Sequence, residues 1–354
     1  MSGSSFGKIF KISTFGESHG AALGVIVDGV PAGLPVDIEF IKQELARRRP
    51  GQSALATARQ ESDAPEILSG VFNGVATGTP IAIVIRNTDQ RSHDYSKVEH
   101  IFRPGHADYT FNMKYGFRDY RGGGRSSGRE TAARVAAGAI AKLFLKTLGI
   151  DITAFAAEIG GVKAEKFIPE EIEKNPARSA DPDAADAMIR AVADAAAKKD
   201  SVGGKVGCRI SGVPAGWGEP VFDKLDALLA HAMFSLGSVK GVEFGAGFGV
   251  AQLTGSQNND AMRPGENPFV TNNAGGILGG ISNGDLIEFT IAVKPTPSIA
   301  STQQTVNDHG EACDVEITGR HDPCIVPRII PVVEAMAALV LADCALQQRC
   351  AKLD

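Results

Sequence analysis

DGVPAG at residues 28–33 and SGVPAG at residues 211–216 are one phrase written twice, and their surroundings repeat with them. GVIV at 24–27 and KVGCRI at 205–210 are strand-like apolar runs that lead into the phrase. IEFIKQELARRR at 38–49 and FDKLDALLAHAMF at 222–234 follow it with helical spacing. Further on, GVATGTPIAIVIRN at 74–87 and GGISNGDLIEFTIAVKP at 279–295 read as glycine-bounded strand pairs. An alanine-rich helix closes each series, at 128–148 and 330–348. This pattern predicts an α+β fold, a layered β-α-β sandwich of largely antiparallel sheets built from two pseudo-repeated halves, about 1–150 and 205–354. The expectation is a single domain over 1–354, with the functional site where the halves meet. Residues 151–204 fall outside the repeat and read as a peripheral insertion with one helix from about Ala184 to Lys199. The stretches 47–65, 255–275 and 298–312 lack periodicity and read as long functional loops.

The chain has 354 residues and a formal net charge of -5, which disfavours a general nucleic-acid or membrane-surface protein. No run approaches the roughly 18 apolar residues of a membrane span, and the start MSGSSFGKIF lacks the apolar stretch of a secretory signal, so a cytoplasmic location is expected. Five cysteines without CxxC spacing argue for reduced thiols and against a zinc site, and no metal is expected.

Residues 103–130, RPGHADYTFNMKYGFRDYRGGGRSSGRE, follow neither strand nor helix periodicity. They hold five arginines, six glycines, one histidine and three of the chain's four tyrosines. Guanidiniums grip carboxylate and phosphate in a fork, and glycines let backbone N–H groups approach an anion, so the stretch reads as an anion-binding loop. Ser127 to Glu130 is an S-x-x-E capping box that opens the following helix, which leaves the Ser126 hydroxyl for a ligand. An RGG-type nucleic-acid segment is the competing reading, and it does not explain the capping box. His19, in GESHG at 16–20, and His106 both sit in glycine-flanked loops near arginines and are candidates for acid–base work; each alone could equally be a turn residue bonding locally. Arg47, Arg48 and Arg49 end the first helix, where cations suit the dipole, and three in a row turn at least one toward a ligand. Asp322 in GRHDPC stands near Arg320 and Arg328, either as a plain ion pair or as a base for a weakly acidic carbon. His321 is intermediate, and KPTPS at 294–298 ends a strand rigidly.

Taken in order, these motifs closely resemble the chorismate synthase family over roughly residues 7–348. The match is carried by FGESHG at 15–20, DGVPAGLP at 28–35, RRRPGQ at 47–52, NTDQRSHDY at 87–95, RPGHADY through AAGAIAK at 103–142, VKGVEFG at 239–245, AGGILGGISNG at 274–284, KPTPS and GRHDPC. The resemblance implies a carbon–oxygen lyase of the shikimate pathway, serving aromatic amino acid biosynthesis. It would convert 5-enolpyruvylshikimate 3-phosphate to chorismate by anti-1,4-elimination of phosphate, with reduced FMN required but no net redox change. By the family's pattern His19 would serve the departing phosphate, His106 would protonate the reduced flavin, and Asp322 would act with the flavin in removing the C6 hydrogen. Flavin contacts would fall at Arg125, Ser126, Ser127, Gly237, Ser238, Gly279, the run Lys294, Pro295, Thr296, Pro297 and Ser298, and Arg320. Substrate contacts would fall at Ser18, Arg48, Arg49, Arg129 and Arg328. The family pattern also implies a homotetramer, and NADPH at Arg48 or a separate flavin reductase as the source of reduced flavin. This chain departs from many relatives with Ala54 where they carry arginine, with Gly237-Ser238, with Asn273 and with Trp217. A flavin oxidoreductase and an RNA- or nucleotide-binding module are the rival readings.

Overall fold

The apolar alternation of the strands builds two antiparallel sheets, and the helices fill the space between them. In this computed structural model residues 3–51, 61–89, 98–265, 268–317 and 321–353 are described. The first half runs β1 (Ser5–Phe6), β2 (Lys11–Gly16), β3 (Ala22–Asp28), α1 (Ile38–Arg48), β4 (Pro65–Ile67), β5 (Val71–Phe72), β6 (Val75–Ala76), β7 (Ile81–Arg86), α2 (Asp108–Tyr115) and α3 (Thr131–Lys146). The second runs β8 (Asp151–Ile159), β9 (Val162–Lys163), α4 (Pro182–Ala197), β10 (Gly204–Ser211), α5 (Leu225–Phe234), β11 (Val239–Phe244), α6 (Gly255–Asn258), β12 (Ile277–Leu278), β13 (Ile281–Ser282), β14 (Ile287–Val293), β15 (Gln303–Val306), β16 (Ala312–Val315) and α7 (Val326–Gln348). One sheet has the order β1-β2-β3-β7-β4 and the other, read from its far edge, β9-β8-β10-β14-β11. Strand for strand these are the same arrangement, with β8 in the place of β2.

That correspondence corrects the expected boundary. Residues 151–159 are no peripheral insertion: β8 pairs with β10 along its length and buries Ala154, Ala156 and Ile159 in the core. The excursion proper is the chain between β9 and β10, which carries α4. The unperiodic stretches at 255–275 and 298–312 also hold short elements, α6 and β15, the latter paired with β16.

In β7, Ile81, Ile83 and Ile85 alternate inward and are fully buried; Ile287, Phe289 and Ile291 of β14 do the same in the other sheet. The helices meet these faces. α3 packs on β3 and β7, α7 on β8 and β10, and α3 and α7 lie against each other. An 18-residue window of α7 reaches a mean hydropathy of 2.1, enough by composition to cross a membrane, yet all of it is buried inside the fold. The expectation that no segment approaches a membrane span therefore fails on composition, because a helix packed on one sheet and surrounded by α1, α3 and α5 needs an apolar surface all round.

Two features hold the helix layer together. A Cβ placed on Gly138 of α3 would stand 2.3 Å from the Ala335 Cβ and 2.5 Å from its Cα, so the α3–α7 crossing depends on the missing methyl. The other is Glu334 of α7, which accepts from Arg47 of α1 at 2.6 and 3.0 Å, from Lys142 of α3, and from the backbone N–H of Ala154 in β8 at 3.1 Å. Burial alone would raise its pKa, but Lys142 and Arg47 outweigh burial and hold it below the 4.5 of a free glutamate.

Gly138→Ala gains up to about 1 kcal/mol of helix propensity and loses about 1–3 kcal/mol to overpacking, so urea titration should find it less stable than the parent. Glu334→Gln removes the more buried of the two carboxylates that Arg47 and Lys142 share, Glu44 being the other, and should cost about 3–5 kcal/mol in the same measurement. Because the folded pKa is depressed, this carboxylate's contribution is complete above pH 4.5 and is lost as pH falls through the lower folded value. The parent protein's unfolding midpoint should therefore drop with acid over that range, and the Glu334→Gln variant's less steeply.

Candidate active site

Loops from both halves converge on a cleft of about 630 Å³, a volume that suits small-molecule sites. The first half supplies Ser18 and His19 after β2, Arg48 at the end of α1, the 103–107 turn before α2, and the glycine-rich turn that opens α3. The second half supplies residues 234–238 after α5, Lys240, the exit of β14 at Lys294 and Thr296–Ser298, and His321, Asp322 and the first turns of α7. Eight of the lining side chains are cationic, Arg48, Arg103, Arg125, Arg129, Arg134, Lys240, Lys294 and Arg328, and two are acidic, Glu130 and Asp322. A cleft so biased is built for anions.

The cations differ in how free they are. Arg125 reaches back to β2, donating to the Gly16 carbonyl at 3.0 Å and to Thr14 Oγ1 at 2.6 Å, and Arg134 is tied to Glu130 at 2.8 Å and to Ser235 Oγ at 2.6 Å. Arg48 donates to Thr131 Oγ1 at 3.1 Å and to the Gly128 carbonyl at 2.7 Å, Arg129 donates to Asn87 Oδ1 at 3.0 Å, and the charges of Arg129 and Arg328 both reach Arg48. Asp63 is the counter-charge for two of them, 3.2 Å from Arg48 and in close contact with Arg129. Burial first, and then the charges of Arg328 and Arg129, pull Arg48 down to about 9 against the pull of Asp63, which leaves it protonated at neutral pH. The NH2 group of Arg129 and the Nε of Arg328 are buried with no hydrogen-bond partner among the described residues. Buried donors left unmet are expensive, and a bound phosphate or carboxylate would satisfy them.

The histidines are oriented by their neighbours. His106 Nδ1 lies 3.0 Å from Asp108 Oδ1, and Arg103 holds both oxygens of the same carboxylate at 2.7 and 2.8 Å. Burial would raise the Asp108 carboxyl, but Arg103 and His106 keep it well below the usual carboxylate range. A permanent anion at Nδ1 fixes the proton there and leaves Nε2 for the cleft. His19 shares a 2.8 Å hydrogen bond through Nδ1 with Ser18 Oγ and is covered by Gly122, whose φ of +72° and missing side chain let the backbone lie on the ring. A Cβ there would fall 2.3 Å from the imidazole. Burial, with the charge of Arg103, pushes His321 down to about 4, so it is neutral at pH 7. Asp322 makes a close ion pair with Arg328.

The sequence candidates divide accordingly. Ser18, His19, His106, Asp322, Arg48, Arg129, Arg328, Arg125, Ser126, Ser127, Gly237, Ser238, Lys294, Thr296, Pro297 and Ser298 all line the cleft. Arg49 is exposed and Gly279 sits in the β12–β13 turn beyond the start of α5, and neither lines it. Pro295 is turned toward Gly203 instead. Arg320 lies outside the described residues, as does Ala54. The capping box forms only in part: Ser127 Oγ accepts from the Arg129 N–H at 3.2 Å, but Glu130 turns to Thr14 and Arg134. Sequence reasoning singled out neither Asp63, Arg103, Asp108 nor Lys240. The R-x-x-H-x-D spacing of 103–108 was a usable signal for two of them, while Asp63 sits in an unperiodic stretch.

Backbone turns, neutral imidazole, oriented histidines and unmet guanidiniums in one cleft define an enzyme that binds a small polyanion and moves protons on it. A family model described as chorismate synthase matches residues 10–346. The chorismate synthase of Lachnospira eligens is 54% identical over 358 residues, covering 100% of this chain and 98% of its own. That of Maridesulfovibrio salexigens is 54% identical over 349 residues, covering 99% of each. A crystal structure of chorismate synthase, 32% identical, aligns with a TM-score of 0.77 over 97% of this chain and 93% of that one. The chain belongs to the chorismate synthase family. Its activity is the elimination of phosphate from 5-enolpyruvylshikimate 3-phosphate to give chorismate, a carbon–oxygen lyase step of aromatic biosynthesis.

Asp63→Asn should make the three clustered guanidiniums depend on a bound anion. Its melting temperature should fall below the parent's in anion-free buffer and rise more on adding inorganic phosphate; equal phosphate shifts for the two proteins would contradict the anion-site assignment.

Proposed function

We propose that this cleft binds reduced FMN beside the substrate, with Arg48, Arg129 and Arg328 receiving the substrate's phosphate and carboxylates. The convergence of those three arginines with His19 and His106 on one cleft is the observation that carries the reading. The walls suit a flavin phosphate and ring system. Thr296 Oγ1 is a buried hydroxyl without a partner among the described residues, Lys294 and Lys240 stand close enough to lower the Lys294 pKa after burial has done so, and a Cβ on Gly237 would meet nothing within 4 Å. Arg125, Ser126, Ser127, Ser238, Pro297 and Ser298 complete that wall. Reduced FMN, when bound, supplies electron density as the allylic C–O bond breaks and recovers it as the C6–H bond breaks, which leaves no net redox change.

The chain's own residues supply binding and protons. Arg48, Arg129 and Arg328 pair with the substrate's negative groups and offset the charge that gathers on the departing phosphate. His19, steadied by Ser18 and covered by Gly122, offers that phosphate a proton. His106, anchored through Nδ1 by Asp108, presents Nε2 on the side of the glycine-rich turn, where a Cβ on Gly123 would lie 3.2 Å from the ring. Asp322, ion-paired with Arg328 at the rim of the first turn of α7, is the carboxylate this reading assigns to the C6 hydrogen. A cytoplasmic homotetramer is the setting this reading implies, with reduced flavin drawn from NADPH or from a separate reductase.

Anaerobic assay with reduced FMN tests the reading. The expected outcome is many phosphates released per flavin with chorismate as product; one flavin consumed per product would instead establish a flavin oxidoreductase. His19→Ala and His106→Ala should each lower kcat by about 10²–10⁴-fold while retaining FMN, and near-parental turnover in both would remove the acid–base assignment.

A further inference from the structure

Residues 164–203, the excursion that interrupts the second repeat, touch the cleft's wall from behind. Ser201 Oγ donates to the Thr296 carbonyl at 2.7 Å, the Val202 N–H donates to the Pro323 carbonyl at 3.0 Å, and Arg178 NH1 donates to the Pro327 carbonyl at 2.7 Å. Each acceptor is within a residue of a side chain that lines the cleft: Thr296 itself, Asp322 and Arg328. The third contact has a specific cause. In an α-helix the Pro327 carbonyl would accept from the N–H of residue 331, but residue 331 is proline and has none. Arg178 supplies the missing donor.

Arg178 is itself held rigidly. It is buried, its carbonyl accepts from the Ala156 N–H of β8 at 2.9 Å, and Ser179 forms a parallel bridge to the same residue. Its guanidinium is therefore referenced to the central sheet, and through it so is the first turn of α7. We propose that Arg178 is a positioning residue of the elimination: filling the carbonyl that Pro331 leaves open, it sets the direction of the α7 first turn and so the place of Arg328 and its partner Asp322 in the cleft. The interruption of the repeat thereby becomes a brace for the site. This rests on the reading of Arg328 as a substrate-binding residue.

The test is steady-state kinetics with reduced FMN on Arg178→Met, Arg178→Lys, Arg328→Met and the double variant Arg178→Met/Arg328→Met. Arg178→Met should lower kcat/KM for the substrate on the order of ten- to a hundredfold, chiefly through KM, at unchanged FMN affinity, and Arg178→Lys should recover part of it. The double variant should be little worse than Arg328→Met alone, because both changes act through one group. Effects that multiply, or a lowered melting temperature with kinetics intact, would overturn the proposal. If Arg328→Met itself leaves KM unchanged, the substrate-binding assignment fails first, and the two failures are thus separable. Should Arg178→Met not fold, adding Pro331→Ala returns the helix its own donor: a folded double variant with raised KM supports the brace, and one with parental KM overturns it.

Discussion

Glu334 is the contact on which the rest of the structure depends. A carboxylate at the centre of an apolar helix is costly to bury, and it is tolerated here because Arg47, Lys142 and the Ala154 N–H surround it with donors from α1, α3 and β8. Those three elements come from both halves, so a single charge fixes the relation between the two sheets where nondirectional packing of alanine and isoleucine would allow them to slide. The consequence reaches the cleft at once. Arg47 is spent on Glu334, Glu44 and Glu173, and its neighbour Arg48, one step round the helix, is thereby pointed into the cleft. Arg47 lies in the helix layer and Arg48 lines the cleft for the same geometric reason.

The cleft inverts that logic. At Glu334 every buried charge has its opposite within reach, whereas around Arg48, Arg129 and Arg328 the carboxylates of Asp63, Glu61 and Asp322 match the charge but not every donor, and the Arg129 NH2 group and the Arg328 Nε have no hydrogen-bond partner among the described residues. A protein can hold such an imbalance only where the frame is stiff, and the frame here is α1, α3 and α7 locked to two sheets. Donors that the protein leaves unmet become available to an anionic ligand, which is how a site binds phosphate strongly without distorting.

Much of this could be read from the chain. The repeated GVPAG phrase announced two similar halves because a turn between an apolar strand and a helix needs that chemistry in each copy. Helix α1, read over 38–49, runs Ile38–Arg48, because its apolar spacing is regular and Asp37 caps it. His19, His106 and the arginines were legible because glycine-rich, aperiodic stretches cannot be core. What escaped was of two kinds. The role of β8 was hidden because its alternation, DITAFAAEI, uses alanine, which carries little strand signal. Asp63 escaped because a counter-ion's value lies in which guanidinium it meets, and that is set by packing against Arg48 and Arg129 far along the chain, whereas Asp108 meets Arg103 and His106 locally and its spacing was there to be read. Gly279 and Arg49 show the converse: a motif position can be correct in sequence and still lie off the cleft of one chain.

The two halves share a strand order, yet the site is lopsided, and the reason lies in one connection. Between β2 and β3 the chain turns through five residues, 17–21, just enough to carry Ser18 and His19 to the cleft. Between β8 and β10, the equivalent strands, it runs out through α4 before returning. The short connection can place a histidine accurately because both its ends are hydrogen-bonded into the sheet, and Asn87 from the neighbouring strand clamps it by donating to the Glu17 and Gly20 carbonyls. The long one cannot do that, and what it offers instead is reach: it comes back behind residues 296, 323 and 327 and supports the walls that the second half contributes. Duplication supplied a symmetric frame. One half presents a histidine to the cleft and the other an ion-paired carboxylate, and the connection between equivalent strands is where a repeat can diverge without disturbing the sheets.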